Sequence, residues 1–444
     1  MFDTWGIEHR RVAIPDSIST PADNCYPRRR EPARMNGDRR QFLRAGLAAG
    51  TLAVAGCAAP DRRDDPTASD ANAGSTADTP VSDADTDSTD DTPAYEVEEV
   101  VTDLDRPWGI AVAPDDTVLV TERPGGLVRV ADGESRRVDG VPAVFTGGQG
   151  GLLDVAFHPE YPAPAWVYLT YAAANDAGET TTHLGRGRLA PDASRLTDFE
   201  VLHAAEPFVN SNAHFGSRVV FGPDDRIYVT VGDRQFKDFG PEHVAQDLTT
   251  DLGAVLRFDP DGSIPADNPF VGDSDARDPL FSYGHRNPQG LTIHPETGAL
   301  WEHEHGEQDG DEINILESGA NFGWPVATEA CTYGGGDPIG VSHADRSDVV
   351  DPVHYWPCGS GGFPPSGLTI YDGSVSAWQG DLFAGNLAGG YLGRFRVDGR
   401  EVTEVQRLLA DREWRIRAVT VGLEDGLLVA VDADPGPVVR VTPA

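Results

Sequence analysis

The run from Trp108 to Val120, Trp-Gly-Ile-Ala-Val-Ala-Pro-Asp-Asp-Thr-Val-Leu-Val, joins two short apolar segments through a Pro-Asp-Asp turn. Apolar segments of this length, bounded by Pro, Gly and Asp, are typical of β-strands paired in a hairpin. Similar pairs of segments return five times, over residues 153–171, 218–229, 290–301, 368–383 and 418–431. No long stretch of helical periodicity interrupts them after residue 95. The repeat therefore indicates an all-β domain.

Six copies between residues 94 and 444 give about 58 residues per copy, which suits four short strands with long connecting loops. Closing six such sheets into a ring also removes most exposed sheet edges. We therefore predict an all-β fold, a six-bladed β-propeller of four-stranded blades, as one domain over residues 94–444. A pair of β-sandwiches or a β-helix is the alternative.

The chain before the repeats has the composition of an exported protein. A twin-arginine motif, a short apolar stretch and Val-Ala-Gly-Cys ending at Cys57 predict an export signal with a lipobox over residues 35–57. Lipidated Cys57 would anchor the protein to the outer face of the cytoplasmic membrane. Residues 1–34 would then precede the true start codon. Residues 58–93, rich in Asp, Thr and Ser, are predicted to be a disordered linker.

The charge of the chain restricts its partners. There are 72 Asp and Glu residues against 35 Lys and Arg residues, a formal net charge of −37, and Lys237 is the single lysine. Binding to nucleic acid draws its affinity from basic side chains, so a nucleic-acid partner is not expected. The acid indicates either a cationic partner or a high-salt environment, and its spread along the chain favours the second.

Polar, glycine-rich segments between the repeats contain the candidate site residues. Gln149 lies among four glycines, His214 comes just before an apolar strand, and Arg286 and Asn287 offer hydrogen-bond donors to a planar acid or quinone. Taken alone, His214 fits a structural histidine with satisfied hydrogen bonds better than it fits a base.

Two further segments complete the candidates. Arg415 and Arg417 alternate along a strand, so they share one face and would converge on a central anion if that strand is innermost. Residues 301–314 hold His303, His305 and several carboxylates. Zinc is one possibility there, but the acids and carbonyls after Gly306 suit Ca²⁺ better, and a solvated acidic loop is the alternative.

Nucleophile elbows, phosphate loops and dinucleotide fingerprints are absent from the sequence, so acyl transfer, phosphoryl transfer and NAD chemistry have no support. Cysteine usage adds one expectation. With Cys25 upstream and Cys57 lipidated, Cys331 and Cys358 remain in the exported domain and predict one disulfide. Two free thiols are the alternative.

Several motifs, taken together, resemble one known family. His214-Phe-Gly-Ser-Arg, Tyr283-Gly-His-Arg-Asn-Pro-Gln-Gly, Gly310-Asp-Glu-Ile-Asn and Arg415-Ile-Arg occur in family order, within residues 104–443. This region resembles the soluble aldose sugar dehydrogenases that use pyrroloquinoline quinone (PQQ), the glucose/sorbosone dehydrogenase family. The resemblance implies a six-bladed propeller that holds PQQ and calcium and oxidises a small sugar. It leaves the electron acceptor unidentified.

The resemblance also implies residue roles. His214 would be the general base, taking the anomeric hydroxyl proton while hydride passes from C1 of the sugar to C5 of PQQ, giving a lactone. Arg286 would stabilise charge on the quinone oxygens. The residues implied to hold PQQ are Gln149, Arg286, Asn287, Tyr333, Arg415 and Arg417. Those implied to hold calcium are the carbonyls of Gly306 and Glu307 at the cofactor, and Glu312 with the carbonyl of Phe322 at a second, structural ion.

Two departures from the family pattern bear on cofactor binding. Glu307 stands where proline is frequent, and Ala388 stands where many members have a lysine that contacts the quinone. Lys237 is expected to lie in a distant loop and not to replace that lysine. The alternative functions are therefore a propeller without cofactor that binds sugars or a partner, and a calcium-dependent lactonase.

Overall fold

Short apolar runs alternate with Gly, Asp and Pro turns throughout residues 94–131 and 134–444, the part of the chain that the computed structural model describes. These runs form β-strands because their branched and aromatic side chains pack well on a pleated sheet. The predictions for residues 1–34, 35–57 and 58–93 lie outside the described residues. Within the described ranges there is no helix of the length and apolarity needed to cross a bilayer.

The strands, in chain order, are β1 (Tyr95–Leu104), β2 (Pro107–Val112), β3 (Val118–Glu122), β4 (Gly126–Ala131), β5 (Glu134–Arg137), β6 (Leu152–Phe157), β7 (Trp166–Ala174), β8 (Thr180–Leu189), β9 (Leu196–Ala204), β10 (Val219–Phe221), β11 (Ile227–Val231), β12 (Ala254–Phe258), β13 (Leu280–Tyr283), β14 (Pro288–Ile293), β15 (Leu300–Glu304), β16 (Asp311–Ile315), β17 (His354–Trp356), β18 (Pro365–Ile370), β19 (Leu382–Asn386), β20 (Tyr391–Asp398), β21 (Glu401–Leu408), β22 (Ile416–Gly422), β23 (Gly426–Val431) and β24 (Gly436–Pro443). Two short 3₁₀ helices cover Val244–Gln246 and His343–Asp345.

The strands form six antiparallel sheets of four. Five sheets use consecutive strands, in the orders β2-β3-β4-β5, β6-β7-β8-β9, β10-β11-β12-β13, β14-β15-β16-β17 and β18-β19-β20-β21. The sixth, β22-β23-β24-β1, joins the two ends of the domain, because β1 pairs antiparallel with β24 from Tyr95↔Pro443 to Leu104↔Gly436. This closes the ring. The predicted six-bladed β-propeller of four-stranded blades is confirmed, and the sandwich and β-helix alternatives are wrong.

The first strands of the six blades, β2, β6, β10, β14, β18 and β22, are neighbours around the centre of the ring. Arg218, just before β10, shows how their starting ends meet. Its guanidinium donates to the carbonyls of Gln289 at 2.7 Å and Arg417 at 2.8 Å, and it lies 3.3 Å from Asp154 Oδ1. The same group lies 4.0 Å from the Trp108 ring. The loops that enter the innermost strands therefore open on one face of the ring.

The core lies between adjacent blades. One apolar cluster, for example, packs Leu119 and Leu127 of the first blade against Leu152, Val167 and Leu169 of the second. Each blade is thus buried on both faces by its neighbours, and site loops at the ring centre rest on rigid strands. A disulfide joins Cys331 and Cys358 with an S–S distance of 2.03 Å, which confirms the predicted pairing.

Candidate active site

His214 lies at the centre of the candidate site and is almost completely buried, with 1 % of its surface exposed. Its backbone adopts a left-handed conformation, φ +47°, which is uncommon outside glycine and is frequent at functional positions. The loop can hold it because Gly232 lies against it: a Cβ on Gly232 would come within 2.3 Å of the His214 carbonyl oxygen. The His214 N–H donates to Gln149 Oε1 at 2.8 Å.

Asp233 fixes the tautomer of His214. Its carboxylate lies 2.7 Å from His214 Nδ1, and its other oxygen accepts the indole N–H of Trp324 at 2.9 Å. A carboxylate only accepts, so His214 donates through Nδ1–H and carries its lone pair on Nε2. Burial and the charge of Arg286 lower the pKa of His214 to about 4, so the ring is neutral at pH 7. Burial alone would raise the pKa of Asp233, but contact with His214 and the charge of Arg286 hold it at about 2.

Arg286 reaches the same centre from the loop before β14 and is 3 % exposed. Its Nη1 donates to the carbonyls of His305 at 3.1 Å and Gly306 at 2.5 Å, and its Nη2 donates to Glu307 at 2.5 Å. Asn287 follows it directly and accepts the Gly216 N–H at 3.2 Å. His214, Arg286 and Asn287, which the sequence singled out in separate segments, are therefore brought together with Gln149.

Arg415 and Arg417 do share one face of an innermost strand, and both approach Asp432. Arg417 lies 2.6 Å and Arg415 3.6 Å from its carboxylate. Burial would raise the pKa of Asp432, but the two arginines hold it at about 2. Arg417 is buried and also donates to Gln289 at 2.9 Å, whereas the side chain of Arg415 is 52 % exposed. Of these two arginines, Arg415 is the one whose guanidinium is accessible to a ligand.

Lys237 is where the expectation from sequence was wrong. The structure places its ammonium 2.5 Å from both carboxylate oxygens of Glu307, the residue that also binds Arg286. The Tyr333 ring centre lies 5.8 Å from the same ammonium, and the Tyr333 side chain is exposed. Burial raises the pKa of Glu307, but Arg286 and Lys237 together hold it below its usual value. The long loop between β11 and β12 folds back over the site, which the sequence pattern did not reveal.

Three of the residues expected at calcium, Gly306, Glu312 and Phe322, line one small cavity. The carbonyl of Gly306 accepts from Arg286, so the guanidinium holds one of the two carbonyls expected at the cofactor ion. Glu312 and Phe322 line this cavity of about 10 Å³ together with Glu304, room for one water-sized or ion-sized occupant. Burial and the neighbouring Glu304 raise the pKa of Glu312 well above its usual value. Buried carboxylates beside a small cavity are suited to a hard cation.

His303 and His305 do not combine into a zinc site. His303 Nε2 lies 3.0 Å from the Gly367 carbonyl, and burial lowers the pKa of His303 to about 4. His305 Nδ1 lies 4.0 Å from Asp311 instead. Within residues 94–131 and 134–444, the set of ligand atoms close enough for a metal belongs to His285, Glu302 and Glu304.

Sequence reasoning missed Asp233 and Trp324 as partners of the candidate base. Asp233 stands two residues after the end of β11 in the run Gly232-Asp-Arg, a polar residue at the end of an apolar strand. That signal was present. Trp324 gave none, because nothing in its surroundings in the sequence indicates where its indole N–H is directed.

Comparisons with known proteins find similar sequences and similar folds. The sequence model of the Glucose / Sorbosone dehydrogenase family matches residues 104–440. The aldose sugar dehydrogenase YliI of Escherichia coli (strain K12) is 37% identical over 351 residues, which cover 78% of this chain and 92% of that protein. A crystal structure of a glucose dehydrogenase has a TM-score of 0.74 at 37% identity and covers 79% of this chain and 100% of its own. The PQQ-bound aldose sugar dehydrogenase of Streptomyces coelicolor has a TM-score of 0.64 at 27% identity, with the same coverage of both chains.

Proposed function

The chain belongs to the glucose/sorbosone dehydrogenase family, and from this premise we propose that it oxidises the C1 hydroxyl of aldose sugars to lactones by hydride transfer to calcium-bound PQQ. The observation that carries the proposal is the buried pair of His214 and Asp233 beside Arg286. At one point of the ring, His214 is a neutral base, Asp233 orients it, and Arg286 supplies a fixed positive charge.

The donors present suit PQQ, which carries carboxylates and quinone carbonyls. Guanidinium groups bind such oxygens bidentately, and amide groups both donate and accept. The residues that would hold it are Gln149, Arg286, Asn287, Tyr333, Arg415 and Arg417. When bound, PQQ supplies a two-electron acceptor for the hydrogen on C1. The carbonyls of Gly306 and Glu307 suit the calcium ion at the cofactor, provided that Arg286 gives up its hydrogen bond to Gly306.

His214 acts as the base through Nε2, the nitrogen opposite the one bonded to Asp233. It takes the proton of the C1 hydroxyl, and the imidazolium that forms is stabilised by the ionised Asp233 at 2.7 Å. The indole N–H of Trp324 donates to the other carboxylate oxygen of Asp233 and so holds the Asp233 carboxylate in position against His214. Arg286 stays charged and buried, and stabilises negative charge that develops next to the base.

We also propose that the enzyme works at the outer face of the cytoplasmic membrane. The export signal and Cys57 expected from sequence would tether the domain to the outer face of the cytoplasmic membrane, with residues 58–93 as the linker. The net charge of −37 fits a high-salt medium. Electrons would leave the enzyme to an acceptor that the sequence does not identify.

A titration of the apoprotein with PQQ and Ca²⁺, followed by dye reduction with a panel of aldoses, tests the proposal. We expect a holo-form that reduces the dye with at least one aldose. His214→Gln should bind PQQ with unchanged affinity and lose turnover by at least about 100-fold, because only proton transfer is removed. Glu296→Gln, an exposed change in a distant turn, serves as the control and should match the wild type.

A second candidate function is a cofactor-free propeller that binds sugars or a protein partner. Ala388 favours it, because this residue lies exposed in the turn between β19 and β20 and offers no charge where many family members have a lysine. Failure to bind PQQ at saturating Ca²⁺, with sugar binding retained, would select this candidate.

A further inference from the structure

We propose that His285, Glu302 and Glu304 bind a divalent cation that accepts nitrogen and oxygen ligands together, of the Zn²⁺ or Mn²⁺ type. This site shares Glu304 with the cavity at Glu312 and Phe322, but His285 and Glu302 are not among the residues that line that cavity, so its ligand set differs from both calcium positions of the proposed function. One ligand atom from each residue lies within 4.8 Å of the other two, and all three side chains are buried. In a tetrahedral site, bonds of about 2.0–2.2 Å place ligand atoms about 3.3–3.6 Å apart. The His285–Glu304 separation of 3.7 Å is already close to this, and a separation of 4.8 Å would have to shorten by about 1 Å when an ion binds.

His285 has the orientation of a metal ligand. Its Nε2 lies 2.9 Å from Ser282 Oγ, and its ring stacks on Phe322 with centroids 4.7 Å apart. Its Nδ1 is buried without a hydrogen-bond partner and lies 3.7 Å from Glu304 Oε1. Ligating histidines are held in this way, with the far nitrogen bonded to an outer group and the near nitrogen directed at the ion.

The buried carboxylates of Glu302 and Glu304 need a cation or a proton to balance their negative charge. Its Oε2 accepts from Asn314 Nδ2 at 3.2 Å, but its Oε1 is buried without a partner, and so is Asn314 Oδ1. Within the described part of the chain, neither Glu302 nor Glu304 forms an ion pair with an arginine or lysine. Burying carboxylates without a cation is costly, so the cluster takes up either a metal ion or a proton.

The imidazole is what separates this site from a calcium site. Ca²⁺ prefers oxygen ligands alone, as at Glu312 and the Phe322 carbonyl, whereas first-row transition ions accept imidazole with carboxylates. A bound ion would tie the loop before β14 to strand β15. Glu304 also accepts the backbone N–H of Arg286 at 2.5 Å, so the ion would steady the residue next to His285.

The experiment is a calorimetric titration of Zn²⁺ and of Mn²⁺ into chelator-treated protein kept at saturating Ca²⁺. We expect one equivalent to bind the wild type, and Glu302→Gln to weaken that binding by at least about 100-fold. Gln keeps the size of the side chain and its hydrogen-bonding capacity toward Asn314. Glu296→Gln is the matched control, because it makes the same change at an exposed acid in a distant turn and should leave the equivalent in place.

A spectroscopic measurement makes the result independent of folding effects. Bound Mn²⁺ should show ¹⁴N modulation in its electron spin echo, and His285→Gln should remove that modulation. The proposal is overturned if the calcium-saturated wild type binds neither ion, if Glu302→Gln binds them as the wild type does, or if bound Mn²⁺ lacks a nitrogen ligand. Any of the three results would assign the balancing charge to a proton.

Discussion

Burial acts in opposite directions on the pKa values of two side chains at the ring centre, His214 and Asp233. Burial and the charge of Arg286 keep His214 neutral, whereas Asp233 stays ionised because contact with His214 and the charge of Arg286 outweigh burial. The base and its orienting acid are thus in the protonation states needed for proton abstraction before any sugar arrives. This pre-organisation leads to a pH dependence that an ordinary histidine would not give.

We predict an acid limb of kcat/KM near pH 4 for the holoenzyme. Activity needs neutral His214, and its pKa is lowered to about 4, so protonation begins to remove activity only well below the ordinary histidine pKa of about 6.5. A pH profile from 3.5 to 8 with a saturating dye measures it. A limb near 6.5 would show that His214 is not held as described. Asp233→Asn should lower kcat by about two to four orders of magnitude, because the tautomer is no longer fixed.

Lys237 is predicted to offset the charge of Glu307 for the cofactor. Lys237→Gln leaves Glu307 with Arg286 alone, so more negative charge faces the carboxylates of PQQ. Because Lys237 is 46 % exposed, solvent screens the effect, and we expect the Kd of PQQ to rise by about 3- to 10-fold. A titration followed by absorbance gives the value. Lys237→Gln combined with Glu307→Gln should restore the affinity, and an unchanged Kd in the single variant would remove Lys237 from the site.

The positions of the innermost strands explain why the sequence indicated most of the candidate site residues but not all of them. Gln149, His214, Arg286 and Arg415 each come just before an innermost strand, and the hairpin repeat marks where those strands begin. Lys237 and Trp324 lie in long loops without period, where the sequence gives no register and packing decides the position. The fold was therefore predictable from six local patterns, whereas the contacts of Glu307 and Asp233 were not.

The disulfide joins the long loop between β16 and β17 to the residues just after β17. Cys331 and Cys358 are 27 positions apart, and Cys331 exchanges backbone hydrogen bonds with Gln308, next to Glu307. Replacing both cysteines by serine should lower the free energy of unfolding by about 3 kcal/mol, since the unfolded chain gains loop entropy. Thermal unfolding of the variant against the wild type measures the loss. Equal midpoints would mean that the loop is held by its other contacts.

At the scale of the whole ring, Arg218 connects the blades. From the start of the third blade it contacts the innermost strand of each of the other five, through the residues Trp108, Asp154, Gln289, Ser366 and Arg417. Its charge is retained, because burial lowers its pKa only to about 10. One guanidinium group thus links the innermost strands of all six blades.

Arg218→Met is predicted to destabilise the domain by about 3–5 kcal/mol, because it leaves Asp154 buried without its partner. Urea unfolding followed by tryptophan fluorescence gives the difference. Adding Asp154→Asn should recover part of the loss, since the unpaired charge is then removed. If the double variant is no more stable than the single one, the loss comes from packing and not from the charge.

The central claim, that this ring is a PQQ enzyme whose base is His214, is tested most directly by comparing wild type and His214→Gln in one experiment. Each protein is titrated with PQQ at saturating Ca²⁺, and single-turnover reduction of the bound quinone is then started with aldose. We predict equal PQQ affinity in both proteins and quinone reduction at least about 100-fold slower in the variant. Failure of the wild type to bind PQQ, or equal reduction rates in the two proteins, would contradict the claim.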